Sequence, residues 1–594
     1  MAPKSSPKPS KSSKATSIND EQLQSFTQEN FEKELKALAS KAQEETTTRF
    51  LLSQLWVLAR SATLLSLAAI YSNVSQLTLS PVYGSYPAGI WHSKGVMTAC
   101  FLGWSSNLFI RRYLPIRRPV QLLPIIAAYI PVAQYFLFKL SGYMGANFGP
   151  PITEGLTFLP LLILSVSCTA TTLDDLELTS GRWPWISDAA PGIVSYIFFK
   201  TVEYVSANQI SQYIGQSIIF TRLGMQIVLQ ALYSAFAPSK LLLWILPALF
   251  HTALFNIHVP TPYAINQLNS TMNANGWSIL ERKESLTGYV SVIESLTMGN
   301  GFRAMRCDHS LLGGEWLVNG EKAKGLAEPI YGIFVMLEAI RLIEVEKPIK
   351  DKDASALVIG LGIGTTPAAL ISHGIHTTLV EIDPVVVDFA QKYFSLPEPQ
   401  ETIIDDAVSV ASNFAAQGKK FNYIFLKDLH DILEPGGVIA INFAGDFLLP
   451  PFVIIHRTIR SLFSTCRIYR EAEAPTDQHI AETGQDFTNM VIFCTKPLSE
   501  TPSLGPETSA PSITFRKPIE KDFLRSNARR AFLLPKWEIE DEELKLGEEK
   551  GEEAFAGVLR RNETGRLQEW QVKSAKGHWG VMRGVLPGGV WIDW

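Results

Sequence analysis

Cysteine is scarce in this sequence. It occurs five times among 594 residues, at Cys100, Cys168, Cys307, Cys466 and Cys494. No two of these form a C-x-x-C pair, so the spacing gives neither a zinc site nor the dense disulfide framework of a small secreted domain. We therefore expect reduced cysteines in apolar interiors and no bound metal.

An excess of charge of one sign is also missing. The 53 lysines and arginines nearly balance the 57 aspartates and glutamates, which leaves a formal net charge of -4. Binding to a phosphate backbone requires a broad basic face, and nothing in the charge pattern predicts one. Nucleic acid is therefore not an expected partner.

The first 49 residues lack the apolar stretch of a secretory signal. They begin MAPKSSPKPSKSSKATS, which is rich in proline, serine and lysine. We interpret residues 1–49 as a cytoplasmic tail that is disordered at first and helical near residues 20–44.

Long apolar runs crowd residues 50–258. Runs of about 17 to 25 residues can cross a bilayer as helices, and the run LLPIIAAYIPVAQYFLFKL at 122–140 is apolar all round, unlike a helix of a soluble core. The sequence predicts a multi-pass α-helical membrane domain of about six to eight helices. The candidate spans lie near 50–72, 94–110, 121–140, 154–172, 189–206, 215–237 and 239–258.

The loop after the second candidate span predicts the orientation. It reads RRYLPIRR from Arg111 to Arg118, and short loops rich in arginine stay cytoplasmic. Seven spans would then place the C-terminal half in a lumen, away from a cytosolic nucleotide. We therefore doubt the span at 215–237, which contains Arg222, or suppose an eighth, and expect an endomembrane or plasma-membrane protein whose nucleotide-binding domain is cytosolic.

Four ionisable residues within the candidate spans need an explanation. Lys200 and Glu203 stand three apart on one helical face, which favours a structural ion pair over a transport or substrate role. Arg60 and Arg222 are expected to extend their charges toward the membrane surface.

The character of the chain changes after His258. Alternating apolar and polar residues with Gly breaks predict a small β-domain at 270–325. Strands and helices then alternate through 326–497, which predicts an α/β Rossmann-like domain with a parallel sheet. Residues 498–594 form a linker and a C-terminal tail whose aromatic end we expect to pack against the soluble domain.

A glycine-rich loop carries the strongest chemical signal. Gly360, Gly362 and Gly364 in VIGLGIGTT follow a predicted strand and precede a helix, where glycines let backbone N–H groups approach a nucleotide. Thr365 replaces the third glycine of a dinucleotide fingerprint, so the spacing suits S-adenosylmethionine better than NAD. Glu381 ends the next strand, where a carboxylate can accept hydrogen bonds from ribose hydroxyls.

Three aspartates near the strand ends leave two interpretations open. Asp383 precedes Pro384 and is equally a helix cap. Asp405 and Asp406 end the third strand, where one of them could accept the adenine amino group, or where they could cap the following helix.

The stretch from about Trp277 to Phe443 resembles the spermidine synthase family, in particular its membrane-fused fungal-type members. The motifs VIGLGIG, VEID and IDDA carry the resemblance. It implies a sheet of seven strands, binding of S-adenosylmethionine or its decarboxylated form, and aminopropyl transfer to an amine. It also assigns Glu381 to the ribose and Asp406 to the adenine side, and makes Tyr331 in EPIY, with Glu328 beside it, a candidate on the substrate side.

Two departures from that family bear on catalysis. Ile363 replaces the acidic residue that engages the donor's amine. Only residues 426–435 join the fourth and fifth strands, whereas a parallel crossover with its helix needs about 10 to 12 residues. The loop that carries the family's catalytic aspartate has no room, so we expect impaired aminopropyl transfer and assign no catalytic residue.

Three hypotheses follow for the function. The first is a membrane-anchored, spermidine synthase-like protein that binds an S-adenosyl nucleotide. The second is an S-adenosylmethionine-dependent methyltransferase that acts on a small or lipid-soluble acceptor, and the third is a non-catalytic nucleotide sensor or transport protein. The expected partners are the lipid bilayer and a small-molecule amine or methyl acceptor, and a homodimer is left open.

Overall fold

The structure is a computed structural model, and it describes residues 28–592 except 115, 117, 177–183, 260, 298–300, 318–325, 426–429, 499–512 and 541–556. The predicted disordered start of the tail and most of the predicted linker lie outside these residues. The helices described before the first strand are α1 (Gln28–Tyr83), α2 (Ser85–Ser105), α3 (Asn107–Tyr113), α4 (Leu123–Lys139), α5 (Ser141–Leu156), α6 (Phe158–Leu173), α7 (Pro184–Tyr213), α8 (Arg222–Phe236), α9 (Leu246–Leu254) and α10 (Pro262–Ala274).

The helical region differs from the predicted series of seven spans. Among the described residues, two helices are long and apolar enough to cross a membrane, Thr48–Tyr83 and Pro119–Lys139, and three if the bent pair α5 and α6 counts as one span. Multiple membrane passes are therefore not confirmed. A sequence window does not show where a helix breaks: the run at 215–237 begins with a turn, and α8 starts only at Arg222, after the cap Thr221.

The interior of the helical region is polar at its centre. Ser72 Oγ donates a hydrogen bond of 2.6 Å to Glu203 Oε1 and lies 2.9 Å from His92 Nε2. His92 Nδ1 lies 2.5 Å from Glu154 Oε1. Lys200 pairs with Glu203, as predicted from their spacing. These contacts join α1, α2, α5 and α7.

Arg222 corrects a prediction. Its side chain does not extend toward a membrane surface but is buried, and its Nη1 donates to Glu284 Oε2 at 3.0 Å. Glu284 belongs to the following β-domain, so the ion pair joins the two regions. The sequence could not show this, because 62 residues separate the partners.

The predicted β-domain is an antiparallel sheet in the order β1-β2-β3-β4. Its strands are β1 (Trp277–Glu284), β2 (Tyr289–Ser295), β3 (Phe302–Cys307) and β4 (Ser310–Trp316). Tyr289 is buried with Val82, Tyr83 and Phe138 of the helical region. The β-domain and the helices therefore share a core.

The Rossmann-like domain follows the predicted alternation. Its sheet has the order β12-β10-β11-β9-β8-β5-β6-β7. The five strands from β9 to β7 are parallel, whereas β11 runs antiparallel to both of its neighbours. The helices and strands from Gly332 to the end of the C-terminal tail are α11 (Gly332–Leu337), β5 (Ser355–Ile359), α12 (Thr365–Ser372), β6 (His376–Glu381), α13 (Pro384–Tyr393), β7 (Glu401–Ile404), α14 (Ala407–Gln417), β8 (Phe421–Phe425), β9 (Leu433–Asp446), α15 (Pro450–Arg460), β10 (Thr465–Arg470), α16 (Asp477–Thr483), β11 (Phe487–Thr495), α17 (Asn527–Phe532), β12 (Trp537–Ile539), α18 (Gln568–Val585) and α19 (Gly588–Ile592).

The strand order locates the binding edge. From β5 the chain proceeds to β6 and β7 on one side and then returns to β8 on the other. Ligands of such sheets bind outside the carboxyl ends of the strands at this switch point. The connection from β8 to β9 is short. The part of it that the structure describes is a single 3₁₀ turn at His430–Ile432.

The C-terminal tail packs against the soluble domain, as expected, and also reaches the helices. Trp591 of α19 is 1% exposed, in a cluster with Leu268 and Trp277. Trp579 Nε1 of α18 donates to the carbonyl oxygen of Val82 at 3.1 Å. The tail therefore ties the two halves of the chain together.

Two cysteines correct the expectation of reduced thiols. Cys466 of β10 and Cys494 of β11 stand directly opposite each other, with their Cα atoms 4.1 Å apart, and form a disulfide. The 28 residues between them conceal this pairing in the sequence, because antiparallel pairing of the strands creates it.

Candidate functional site

The glycine loop connects β5 to α12 at the switch point. Gly360, Gly362 and Gly364 all have positive φ angles, of 81°, 56° and 89°. Side chains other than glycine rarely adopt this conformation. The loop therefore needs glycine at all three positions, and it presents backbone rather than side chains at the carboxyl edge of the sheet.

The loop lies beneath the hairpin of β3 and β4. A Cβ atom on Gly362 would lie 2.5 Å from the carbonyl oxygen of Leu312, and one on Gly313 would lie 2.9 Å from the side chain of Ile363. A Cβ atom on Gly360 would meet no protein atom within 4 Å. Gly362 is thus closed in by the hairpin, whereas Gly360 faces open space in which a ligand can approach the backbone.

Glu381 lies at the end of β6, beside this loop. Its Oε2 accepts a hydrogen bond of 2.7 Å from the Leu361 backbone N–H, and its Oε1 accepts one of 3.1 Å from the Asp383 N–H. Burial raises the pKa of Glu381 above its ordinary value. The carboxylate keeps acceptor capacity for the hydroxyl groups of a ribose.

A cavity of about 410 Å³ opens at this edge, within the range of about 300 to 1,000 Å³ of small-molecule sites. Gly360, Gly362, Ile363 and Glu381 line its nucleotide side, together with Leu311, Leu312, Phe334, Phe425, Asn442 and other residues. Cys307 also lines it, and burial raises the pKa of its thiol to about 12, so the thiol is protonated at neutral pH.

The other predicted site residues lie elsewhere or serve as caps. Asp405 and Asp406 are exposed, and Asp406 Oδ2 accepts from the Ser409 N–H at 3.0 Å, which caps α14. Asp383 is fully buried and caps α13. Glu328 accepts hydrogen bonds from Ser526, Asn527 and Ala528 at the start of α17, so its carboxylate is engaged away from the cavity.

Tyr331 stands at the start of α11, close to the cavity. Its ring lies 6.1 Å from that of Phe334, which lines the cavity. Burial raises the pKa of the Tyr331 hydroxyl to about 12. Phe334 and Asn442 were not predicted from the sequence, because they lie within α11 and β9 and follow no motif that points to the site.

A relative of high similarity matches the chain over nearly its whole length. It is 42% identical over 559 residues, 90% of this chain and 97% of the relative, to an N-terminal histidine N-methyltransferase of Emericella nidulans. The chain belongs to the family of this methyltransferase. It is an S-adenosylmethionine-dependent methyltransferase with S-adenosylmethionine as co-substrate.

The other similarities of this methyltransferase are distant. A polyamine aminopropyltransferase of Vibrio vulnificus is 28% identical over 130 residues, 21% of this chain and 42% of that protein. A probable spermidine synthase of Corynebacterium glutamicum shares 15% identity at a TM-score of 0.32, over 48% of this chain and 96% of that structure. The structure of human methyltransferase-like protein 13 in complex with SAH shares 17% sequence identity at a TM-score of 0.23, over 36% of this chain and 91% of that structure. No family model matches the chain.

These findings correct the emphasis of the sequence interpretation. The nearly full-length match supports the methyltransferase alternative, whereas the resemblance to aminopropyltransferases extends over a fifth of the chain and is not supported as the main function. Ile363 fits this outcome, because it is buried against Gly313 and offers no charge to a donor amine.

The cavity fits an S-adenosyl nucleotide. The space over Gly360 is open, so a ligand can contact the backbone there. The Glu381 carboxylate lines the same cavity at the end of the adjacent strand. These two residues would hold the amino-acid and ribose portions, respectively, as glycine loops and strand-end carboxylates do in nucleotide-binding sheets.

The Glu381→Ala variant is expected to bind S-adenosylmethionine more weakly by about 1 to 3 kcal/mol, because the ribose hydroxyls lose a charged acceptor. Calorimetry on the full-length protein in detergent measures the difference. Glu398→Ala removes an exposed carboxylate of the same domain and should leave the affinity unchanged. Equal affinity of the two variants would show that Glu381 does not contact the nucleotide.

Proposed function

We propose that this chain transfers a methyl group from S-adenosylmethionine to a nitrogen atom of a histidine at the N-terminus of a polypeptide. The observation that carries the proposal is the 42% identity, over 97% of its length, to a protein with that named activity. The cavity over the glycine loop supports it, since it joins a nucleotide-binding edge to further space beside Phe334 and Asn442.

The reaction requires little acid or base catalysis from the protein. S-adenosylmethionine supplies a methyl carbon bonded to a positively charged sulfur. The lone pair of a neutral acceptor nitrogen forms the new N–C bond in line with the C–S bond, which breaks with its electron pair left on sulfur. The N–H proton then leaves to solvent. Catalysis rests mainly on holding the two reacting atoms close and aligned.

Apolar side chains of the cavity serve this alignment. Leu312 covers the loop, the loop residue Ile363 lines the cavity with its side chain, and Phe334 forms a wall next to it. The Thr366 hydroxyl of α12 donates to the Phe334 carbonyl oxygen at 3.0 Å. The wall on the acceptor side is thereby fixed to the helix that follows the nucleotide loop.

The direct test uses the full-length protein in detergent with a short synthetic peptide that begins with histidine. Incubation with S-adenosylmethionine should add the mass of one methyl group to that peptide, and fragmentation should place it on the first residue. Decarboxylated S-adenosylmethionine with putrescine or spermidine should give no polyamine product. Aminopropyl transfer without peptide methylation would reverse the assignment.

Membrane attachment and the side that the catalytic domain faces stay predictions. The two long apolar helices support attachment of the helical region to a bilayer. The disulfide between Cys466 and Cys494 bears against the cytosolic placement, because disulfides are rare in cytosolic proteins.

A further inference from the structure

A row of polar side chains continues from the cavity across the carboxyl edge of the sheet. Asn442 of β9 lines the cavity and pairs with Val491 of β11. Asn489 stands two residues before Val491, so its side chain is on the same face. Glu471, directly after β10, is adjacent to Asn489. The row therefore runs from the nucleotide cavity to a carboxylate.

The Glu471 carboxylate is held in a defined orientation. Its Oε1 accepts a hydrogen bond of 3.0 Å from the Ile333 backbone N–H, and its Oε2 accepts one of 2.7 Å from Asn489 Nδ2. Ile333 is next to Phe334, so the same segment of α11 contacts both the carboxylate and the cavity. Two hydrogen bonds leave a carboxylate with acceptor capacity for another donor.

The negative charge of Glu471 has no cationic partner in the described part of the chain. Both of its oxygens are engaged by neutral donors, and no lysine or arginine among these residues forms an ion pair with it. This contrasts with Arg470 beside it, which pairs with Asp486. A half-buried carboxylate without a counter-charge is suited to receive a cation from a ligand.

Tyr331 adds a second unused polar group. Its hydroxyl oxygen is buried, and it finds no hydrogen-bond partner among the described residues. Tyr331 is two residues from the N–H group that holds Glu471, and its ring packs on Phe334. Buried hydroxyls are normally paired, so this one is available to a ligand.

We propose that Glu471 is the specificity-determining counter-charge for the free α-ammonium group of the acceptor polypeptide, whose histidine accepts the methyl group on an imidazole nitrogen. The Tyr331 hydroxyl lies close to Glu471, and the Asn442 amide stands at the cavity end of the row. The inference rests on the proposed function and deepens it. The substrates are polypeptides with an unblocked N-terminus, and those with a blocked terminus or an internal histidine are rejected because they cover the half-buried Glu471 carboxylate without supplying a cation.

The experiment compares the full-length protein with its Glu471→Gln variant in detergent. The substrates are a short peptide with a free N-terminal histidine and the same peptide acetylated at its N-terminus. Glutamine keeps the shape of the side chain, and the Asn489 amide can turn to match it. Glu473→Gln, two residues on and exposed, removes the same charge and is the control.

The KM of Glu471→Gln for the free peptide should rise about 10- to 100-fold, as expected for a lost charge-assisted hydrogen bond. Its affinity for S-adenosylmethionine and the activity of Glu473→Gln should not change. In the parent protein the KM should increase above about pH 8, where the α-ammonium group of the peptide loses its proton. Glu471→Gln should lose that pH dependence, which a merely structural role would not remove.

The outcomes separate the two proposals. If the parent protein methylates neither peptide, the proposed function itself fails. If it methylates both equally well, or if Glu471→Gln keeps the parent KM, the function stands and the role of Glu471 is overturned. Should Glu471→Gln fail to bind S-adenosylmethionine, Tyr331→Phe removes one hydroxyl only and should raise the KM about fivefold. An unchanged KM in Tyr331→Phe would then refute the subsite.

Discussion

The Gly362→Ala variant is expected to lose S-adenosylmethionine binding and methyl transfer by about 100-fold or more. A methyl group at this position would lie 2.5 Å from the Leu312 carbonyl oxygen, a backbone atom of the hairpin above the loop. Either the loop or the hairpin must move, and both line the cavity. The positive φ of 56° adds backbone strain of about 1 kcal/mol or more.

Gly374→Ala is the matched control for this prediction. Gly374 also has a positive φ, of 85°, but a Cβ atom there would contact no protein atom within 4 Å, and it follows α12 away from the cavity. Its variant should share the strain and keep both binding and turnover. Calorimetry with S-adenosylmethionine and a methyl-transfer assay measure the two effects, and similar losses in both variants would mean that strain alone explains them.

The Trp591→Ala variant is expected to destabilise the protein by about 3 to 5 kcal/mol, the usual cost of truncating a fully buried tryptophan. The indole is 1% exposed, the Arg306 guanidinium lies 4.3 Å from its ring centroid, and the His309 ring lies 4.4 Å away. Its loss leaves a cavity in the core that the β-domain shares with the tail, beside a buried arginine.

Thermal unfolding of the full-length protein in detergent should show this as a midpoint lower by about 2 to 4 °C, because the unfolding entropy of about 2.1 cal/mol/K per residue is summed over 594 residues. Val581→Ala provides the control, because Val581 belongs to the preceding helix of the same tail but is 48% exposed. It should change the midpoint little. A Trp591→Ala midpoint equal to that of Val581→Ala would show that the tail does not stay packed on the soluble domain.

The nucleotide side of the site could be predicted from the sequence. Gly360, Gly362 and Glu381 lie within one strand, helix and strand unit, so local spacing alone brings them together. The cap at Asp383 was also foreseen as one of two interpretations, since a proline follows it. Such features can be recognised in a single sequence because the residues that come together in the structure are also close along the chain.

The acceptor side could not be predicted in the same way. Asn442, Asn489 and Glu471 lie on one face of the sheet only because β11 inserts antiparallel between β9 and β10, and nothing in their spacing shows that order. The seven predicted membrane spans are not confirmed, for a different reason. A hydropathy window averages over turns such as the one before Arg222, and it does not detect polar clusters such as that of His92.

The pairing of β10 with β11 has a mechanical consequence for the acceptor subsite. Cys466 and Cys494 join the two strands covalently at one end of their ladder, and Glu471 and Asn489 meet at the other. A slip of one residue would turn Glu471 to the opposite face of the sheet. The covalent link forbids that slip. It therefore fixes the register of β10 and β11, and with it the position of the Glu471 carboxylate at the far end of the two strands.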